Sequence, residues 1–374
     1  MYLQQINISN YKNYNGNGSR AQFSPRLNFL VGKNGAGKTN LLDAVYYLCF
    51  CKSYFSTTDA QNICHGQDFF RVEGCFDLAN QPESIAVKFG VNRKKEFNRN
   101  GTVYERLSEH IGLLPLVMIA PDDIELVKGG SEERRKLLDT SISQFDKTYL
   151  EALIVYNRVL QQRNTLLKSF AERHYFNKQL LETYNEQLTP PANFIYQKRK
   201  EITQQLSPVI QQFYQNLSSG NETVACDYLS PLDGKDFADL LQQNLTADRQ
   251  LQRTTEGVHR DDLEFTINKG YPIKKYGSQG QQKSFLIALK LAIFKLLTKT
   301  TGKTPILLLD DVFDKLDEQR TAQLVSIVSG EDFGQVFISD TIEHRMQAIF
   351  DKFAVPYLVF KINNGNIEAT ASKP

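Results

Sequence analysis

The residue types best suited to chemistry gather in Gly32-Lys33-Asn34-Gly35-Ala36-Gly37-Lys38-Thr39, which fits the pattern G-x-x-x-x-G-K-[ST]. The apolar run Leu27 to Val31 precedes it and Asn40-Leu41-Leu42-Asp43-Ala44-Val45 follows, the strand, loop and helix order that the pattern requires. Glycines let backbone N–H groups close around phosphate oxygens, and the helix behind adds the positive end of its dipole. In that setting Lys38 reaches β- and γ-phosphates, and the Thr39 hydroxyl serves Mg²⁺. The competing reading is a glycine-rich turn that binds nothing, and the flanking strand and helix argue against it.

A second cluster lies far downstream, where Ile306 to Leu309 end in Asp310-Asp311. A carboxylate at the carboxyl end of a central strand, beside a phosphate loop, can hold a metal through its water shell, the role expected of Asp310. Asp311 stands where an acid orients or deprotonates an attacking water. A strand ending in a solvated turn gives the same letters; the upstream phosphate loop gives the pair its meaning. Ser278-Gln279-Gly280-Gln281 opens a helix with a hydroxyl, a bare backbone N–H and a positive helix end, all suited to phosphate. A loop that only caps the helix fits those four residues equally well.

These groups need elements to position them. Residues 3 to 8 and 27 to 31 read as strands, and Ile85, Val87 and Phe89 alternate as a strand does. Asn100-Gly101 and Asn364-Gly365 each predict a tight hairpin. From about Ser131 to Leu217 the apolar residues fall at helical spacing, among them Leu150, Leu153, Ile154, Leu160, Leu167, Leu180 and Leu188. Pro190-Pro191 breaks that run and fits the start of its last helix. The spacing predicts a helical hairpin, a short antiparallel coiled-coil arm. Ser284 to Leu297, apolar nearly all round, reads as a buried helix.

A chain of 374 residues exceeds the usual size of one core, so two domains, or one with a large insertion, are expected. The formal charge of +2 requires any nucleic-acid surface to be a local patch. Cys49, Cys51, Cys64, Cys75 and Cys226 lack paired metal-ligand spacing and read as reduced packing residues. The N-terminus lacks a signal-peptide pattern, and no run approaches the ~20 apolar residues of a membrane span. A cytoplasmic protein with no membrane partner is the expectation.

Together these residues carry a resemblance. The phosphate loop, the S-x-G-Q motif, the strand ending in two acids and Asp314-Lys315-Leu316-Asp317 resemble the ATPase head of the ABC and SMC class. More narrowly, Tyr11-Lys12-Asn13-Tyr14, Ala120-Pro121-Asp122-Asp123, Arg134-Arg135-Lys136-Leu137-Leu138-Asp139, Gln162-Arg163-Asn164, His259-Arg260-Asp261-Asp262 and Gly277-Ser278-Gln279-Gly280-Gln281-Gln282 resemble the RecF family of bacterial recombination mediators. The resemblance implies an α/β fold: an ABC/SMC-type P-loop NTPase head, residues 1–125 and 252–374, with an antiparallel β subdomain and an inserted helical arm, residues 126–251. It implies ATP and Mg²⁺ as cofactors, the nucleotide held by Gly32, Lys33, Asn34, Gly35, Ala36, Gly37, Lys38 and Thr39, the metal by Thr39 and Asp310, with Lys38 and Asp311 catalytic. Two heads sandwich two ATP molecules in this class, so Ser278, Gly280 and Gln281 would complete the site of a partner copy in a homodimer. The family binds duplex DNA near single-strand gaps and works with RecO and RecR to load RecA.

Several positions depart from the class. The second acid is Asp311 where Glu is usual, one methylene shorter, which predicts slow turnover dependent on dimer closure. Asp314 stands where Ser is common, and the usual switch histidine is replaced within Ser339-Asp340-Thr341. His259-Arg260-Asp261-Asp262 reads as a structural network before it reads as direct chemistry, and His65, His110, His174 and His344 read as isolated. Arg93-Lys94-Lys95, Arg99, Arg134-Arg135-Lys136 and Lys198-Arg199-Lys200 are candidate phosphate contacts for DNA, or simply solvated faces. The rival readings are a transporter ATPase subunit, a small-molecule kinase, and a nucleotide-gated scaffold that does not hydrolyse ATP.

Overall fold

Predominantly apolar runs belong in a sheet covered on both faces, and Leu27–Val31, Leu116–Ile119, Ile306–Leu309 and Val336–Asp340 are buried along their whole length, Asn28, Ser339 and Asp340 included. The computed structural model describes residues 1–16, 18–218, 220, 222–268, 270–313, 316–341 and 356–373. Asp314, Lys315 and His344 lie outside the described residues.

The chain divides into two compact units, Met1–Asp123 with Ile293–Pro374, and Ile124–Ala292. The first begins with β1 (Tyr2–Ser9), β2 (Ser19–Gln22), β3 (Leu27–Val31), α1 (Lys38–Phe50), β4 (Phe69–Leu78), β5 (Gln81–Gly90), β6 (Glu96–Arg99), β7 (Thr102–Val103) and β8 (Leu116–Ile119). The second holds α2 (Glu125–Lys128), α3 (Ser131–Ser143), α4 (Lys147–Glu172), α5 (Lys178–Ser218), β9 (Val224–Leu229), α6 (Phe237–Gln243), α7 (Leu245–Leu251), β10 (Asp262–Ile267), β11 (Tyr271–Pro272), α8 (Ile273–Tyr276) and most of α9 (Gln279–Thr301). The first resumes with β12 (Ile306–Leu309), α10 (Glu318–Val328), β13 (Val336–Asp340), β14 (Tyr357–Asn363) and β15 (Asn366–Lys373).

Two sheets build the first unit. One is antiparallel, in the order β2-β1-β4-β5-β6-β7; the other runs β15-β14-β3-β13-β12-β8, parallel from β14 to β8 and closed by the antiparallel β15. Both predicted Asn-Gly hairpins form, joining β6 to β7 and β14 to β15, with Asn100 and Asn364 in the left-handed region that such turns need.

In the second unit the helical hairpin is present. Arg163 meets Asn185 and Tyr149 meets Arg199 across it, so α4 and α5 run antiparallel. Two expectations are corrected. Pro190 and Pro191 do not start a helix, because α5 continues through them and through Pro208. A proline deprives the carbonyl four residues earlier of its donor, and here those carbonyls belong to Glu186, Gln187 and Gln204, all exposed to water. The buried stripe is also displaced: Ile154 and Leu180 are exposed, while Tyr149, Tyr156, Val159, Arg163 and Leu181 face inward. Within the second unit β10 pairs with β9 along its length, and that unit runs to Ala292.

Candidate nucleotide-binding site

The strand order brings the phosphate loop and the downstream acids together. β13 lies between β3 and β12, with Ser339 and Asp340 opposite Leu30 and Val31 at the carboxyl edge. Thr39 Oγ1 donates to the Asp310 carboxylate, 3.0 and 2.9 Å from its two oxygens. Ser339 Oγ donates to Asp310 Oδ1 at 2.7 Å and accepts the Asp311 N–H at 2.9 Å. Within Ser339-Asp340-Thr341, Ser339 thus bonds the side chain of one acid and the backbone of the other. Burial raises the Asp310 pKa above the ordinary carboxylate value, against the hydroxyls of Ser339 and Thr39, which favour the ionised form. Lys38 is buried, its ammonium donating to the carbonyls of Gly32 at 2.8 Å and Lys33 at 3.2 Å.

A second layer shapes the loop. Gly37 precedes α1 at φ +119°, and a Cβ there would lie 2.8 Å from the Asn13 amide. Asn13 donates to the Ala36 carbonyl at 3.0 Å and accepts from Asn40 at 2.7 Å, while Tyr14 donates to the Gly37 carbonyl at 2.9 Å. Asp43, fully buried on α1, takes Tyr11 Oη at 2.6 Å, Ser53 Oγ at 2.7 Å, the Tyr54 N–H at 2.7 Å and the Lys12 ammonium at 2.6 Å. The turn between β14 and β15 completes the support: Gly365 N–H donates to the Ala36 carbonyl, and a Cβ on Gly365 would sit 2.4 Å from Asn13 O. The sequence marked Tyr11 to Tyr14 without a mechanism, left the switch residue open among Ser339, Asp340 and Thr341, and gave Asn40 and Asp43 no role. Their signal is polar side chains in otherwise apolar stretches.

These contacts make a cradle with a buried ammonium on neutral carbonyls and a hydroxyl on a carboxylate, a donor set that fits a nucleoside triphosphate with its metal. Comparison with known proteins agrees. The RecF/RecN/SMC N-terminal domain model matches residues 2–367. The DNA replication and repair protein RecF of Flavobacterium johnsoniae is 47% identical over 362 residues, 97% of this chain and 100% of the relative. This chain belongs to the RecF family.

RecF of Phocaeicola vulgatus is 44% identical, with 98% of each chain covered. A solved structure of the recombination mediator RecF with ATP, in the RecFOR pathway, superposes with a TM-score of 0.88 at 30% identity, covering 99% of this chain and 98% of that one. An Smc head from Pyrococcus furiosus shares the fold, with a TM-score of 0.59 at 17% identity.

Of the remaining RecF motifs, Ala120 to Asp123 lies in the first unit and the others lie in the second. Ser278 and Gln281 form a capping box at the head of α9: the Ser278 N–H donates to Gln281 Oε1 at 2.6 Å, and the Gln281 N–H to Ser278 Oγ at 3.2 Å. Gln281 Nε2 donates to Glu222 at 2.5 Å, so both ends of its amide are engaged within the unit. His259-Arg260-Asp261-Asp262 belongs to a network. Arg199 bonds Asp261 at 2.5 Å and Asp139 at 2.8 Å, Arg134 grips Asp262 at 2.6 and 3.0 Å, and Arg135 donates to the Asp261 carbonyl. His259 is a neutral link, Nε2–H to the Thr254 carbonyl and Nδ1 accepting from Tyr156.

That network takes Arg134 and Arg199 out of the candidate DNA contacts, and ion pairs engage several of the others. Arg134 and Arg199 are buried, Lys136 pairs with Glu132 and Glu133, Lys198 with Asp146, and Lys200 with Asp233. In the first unit Arg99 pairs with Glu83 and Lys95 with Asp59. Arg93 and Lys94 are exposed and have no ion pair among the described residues.

Proposed function

We propose that this protein is an ATP-controlled DNA-binding ATPase of the RecF type. The observation that carries the reading is the convergence of Thr39 and Ser339 on Asp310, on the strand edge that also carries the loop of Lys38. Gly32 to Thr39 would wrap the triphosphate with backbone N–H groups, and Lys38 would leave its two carbonyls for β- and γ-phosphate oxygens. Thr39 and Asp310 would hold Mg²⁺, which when bound neutralises charge on those oxygens. Asp311 would orient the attacking water, and its short side chain supports slow turnover. Ser278 and Gly280 would face the γ-phosphate held by a second copy, so ATP would join two chains and hydrolysis would release them. Gln281 would act by shaping that loop, since its amide is already engaged.

The relatives' names, DNA replication and repair protein RecF and recombination mediator in the RecFOR pathway, support DNA as the substrate, and the proposed form is duplex beside a single-strand gap. The pathway name also supports RecO and RecR as partners, and the proposed location is the cytoplasm. No helix among the described residues is long and apolar enough to cross a membrane.

Light scattering on wild type and Ser278→Arg tests the sandwich, each with no nucleotide, with ADP, and with ATP plus a gapped duplex. Wild type should dimerise only with ATP, and the variant should stay monomeric while still binding ATP. A wild type that ignores ATP overturns the clamp and leaves the non-hydrolysing scaffold or a kinase.

A further inference from the structure

Glu222 lies in the short connection from α5 to β9, far in sequence from the motifs above. Its carboxylate is shared between two elements. One oxygen accepts from Gln281 Nε2 at 2.5 Å, and the other accepts the Tyr214 hydroxyl at 2.6 Å. Tyr214 is fully buried near the carboxyl end of α5. The same helix fixes the backbone beside Glu222, because Gln211 Oε1 accepts the Val224 N–H at 2.5 Å and Gln211 Nε2 donates to the Glu222 carbonyl at 3.3 Å. An unbroken chain of hydrogen bonds thus runs from α5 through Tyr214, Glu222 and the Gln281 amide to the Ser278 N–H, all within one compact unit.

The Gln281 amide is the hinge of that chain. An amide has one acceptor end and one donor end, and only one orientation lets it take the Ser278 N–H and give to a carboxylate. Glu222 selects that orientation. It thereby holds the capping box closed, with the Ser278 Oγ accepting from the Gln281 N–H and its own proton left to donate outward. We infer that Glu222 is a positioning residue for the signature loop: it sets the Ser278 geometry that a nucleotide on a second copy meets, and ties that geometry to the end of the arm helix. The inference rests on the proposed sandwich. Glu222 touches no phosphate in it and has no part in the cradle around Lys38.

Three full-length variants test it. Glu222→Ala removes the acceptor. Glu222→Gln keeps an oxygen for Gln281 and an N–H for Tyr214. Tyr214→Phe loosens Glu222 without touching it, and covers the case in which Glu222→Ala fails to fold. Affinity for a fluorescent ATP analogue should match wild type in all three. The ATP concentration at which half the chains dimerise should rise about tenfold or more in Glu222→Ala, as loss of a hydrogen bond to a charged group implies. Tyr214→Phe should shift in the same direction by less, and Glu222→Gln should restore the wild-type value. Unchanged dimerisation in Glu222→Ala and Tyr214→Phe, beside a Ser278→Arg control that fails to dimerise, overturns the role of Glu222 and leaves the sandwich intact. If Ser278→Arg also dimerises normally, the sandwich itself is overturned and this role with it.

Discussion

Each unit of this protein buries cations, and the two do so in opposite ways. In the first, Lys38 is 4% exposed and its ammonium rests on the backbone carbonyls of Gly32 and Lys33. In the second, Arg163 is fully buried against Asp248 at 2.7 Å, with Asn185 and Thr254 at 2.8 Å, and its other Nη has no hydrogen-bond partner among the described residues. Arg199 is neutralised likewise by Asp139 and Asp261. A charge resting on neutral carbonyls can be transferred to an incoming anion. A charge already matched by a buried carboxylate cannot be, without leaving that carboxylate unpaired in a low dielectric. The first arrangement suits ligand binding, and the second suits architecture.

The contrast breaks if the two kinds of cation respond alike to removal. Arg163→Ala leaves Asp248 uncompensated and should cost about 3–5 kcal/mol of stability, read by urea denaturation, with nucleotide affinity of the remaining folded protein unchanged. Lys38→Ala should do the converse. ATP turnover should fall about 10²–10³-fold, while stability moves by less than about 1 kcal/mol. A Lys38 variant that unfolds, or an Arg163 variant that loses only nucleotide, would remove the distinction.

The same contrast explains what could be read from the sequence. The phosphate loop, the paired acids and the two Asn-Gly turns are local patterns, and local backbone chemistry decides them. The seam of the arm is not local. Arg163 and Tyr156 face inward because Asp248 and His259 wait for them there, 85 and 103 residues away in sequence, and no helical period records that. Arg134 and Arg199 read as solvated triplets for the same reason, since a carboxylate partner from another element turns a surface residue type into a buried one. Asn13 and Asp43 support the phosphate loop through contacts 23 to 32 residues long, which spacing rules do not reach.

Acid pH should treat the two units alike, which sharpens the comparison by showing what they share. His110 in the first unit and His259 in the second are both held neutral by burial, their pKa values lowered to about 4. Each places one ring nitrogen on a carbonyl and the other on a tyrosine hydroxyl: Leu48 and Tyr104 for His110, Thr254 and Tyr156 for His259. A carbonyl can only accept, so that nitrogen carries the proton. Below the ordinary value of about 6.5 the unfolded chain takes up a proton that the folded chain refuses, so stability is full above that pH and declines as pH falls toward 4. Each ring should account for up to about 3 kcal/mol. Denaturation midpoints of wild type, His110→Gln and His259→Gln across this window check it, and either substitution should flatten the decline. A wild-type profile flat from pH 6.5 to 4 would contradict both.

The smallest effect concerns DNA, where the rule of paired and unpaired cations is carried to the surface. Lys198 and Lys200 hold carboxylates, whereas Arg93 and Lys94 are exposed with no ion pair among the described residues. A cation that meets a phosphate releases a counterion, and each such contact adds about 0.9 to the slope of log affinity against log salt. A lysine already neutralised by its own carboxylate gains little from a phosphate, because the ion pair must break first. Reversing Arg93 and Lys94 to Glu should therefore lower affinity for a gapped duplex and flatten the salt slope by about 1 to 2. The same change at Lys198 and Lys200 should leave the slope unchanged. Titrations of both double variants with ATP at several salt concentrations decide between them. Equal loss in both would show that pairing within the fold does not predict which cations DNA uses, and the comparison would then hold for buried charges alone.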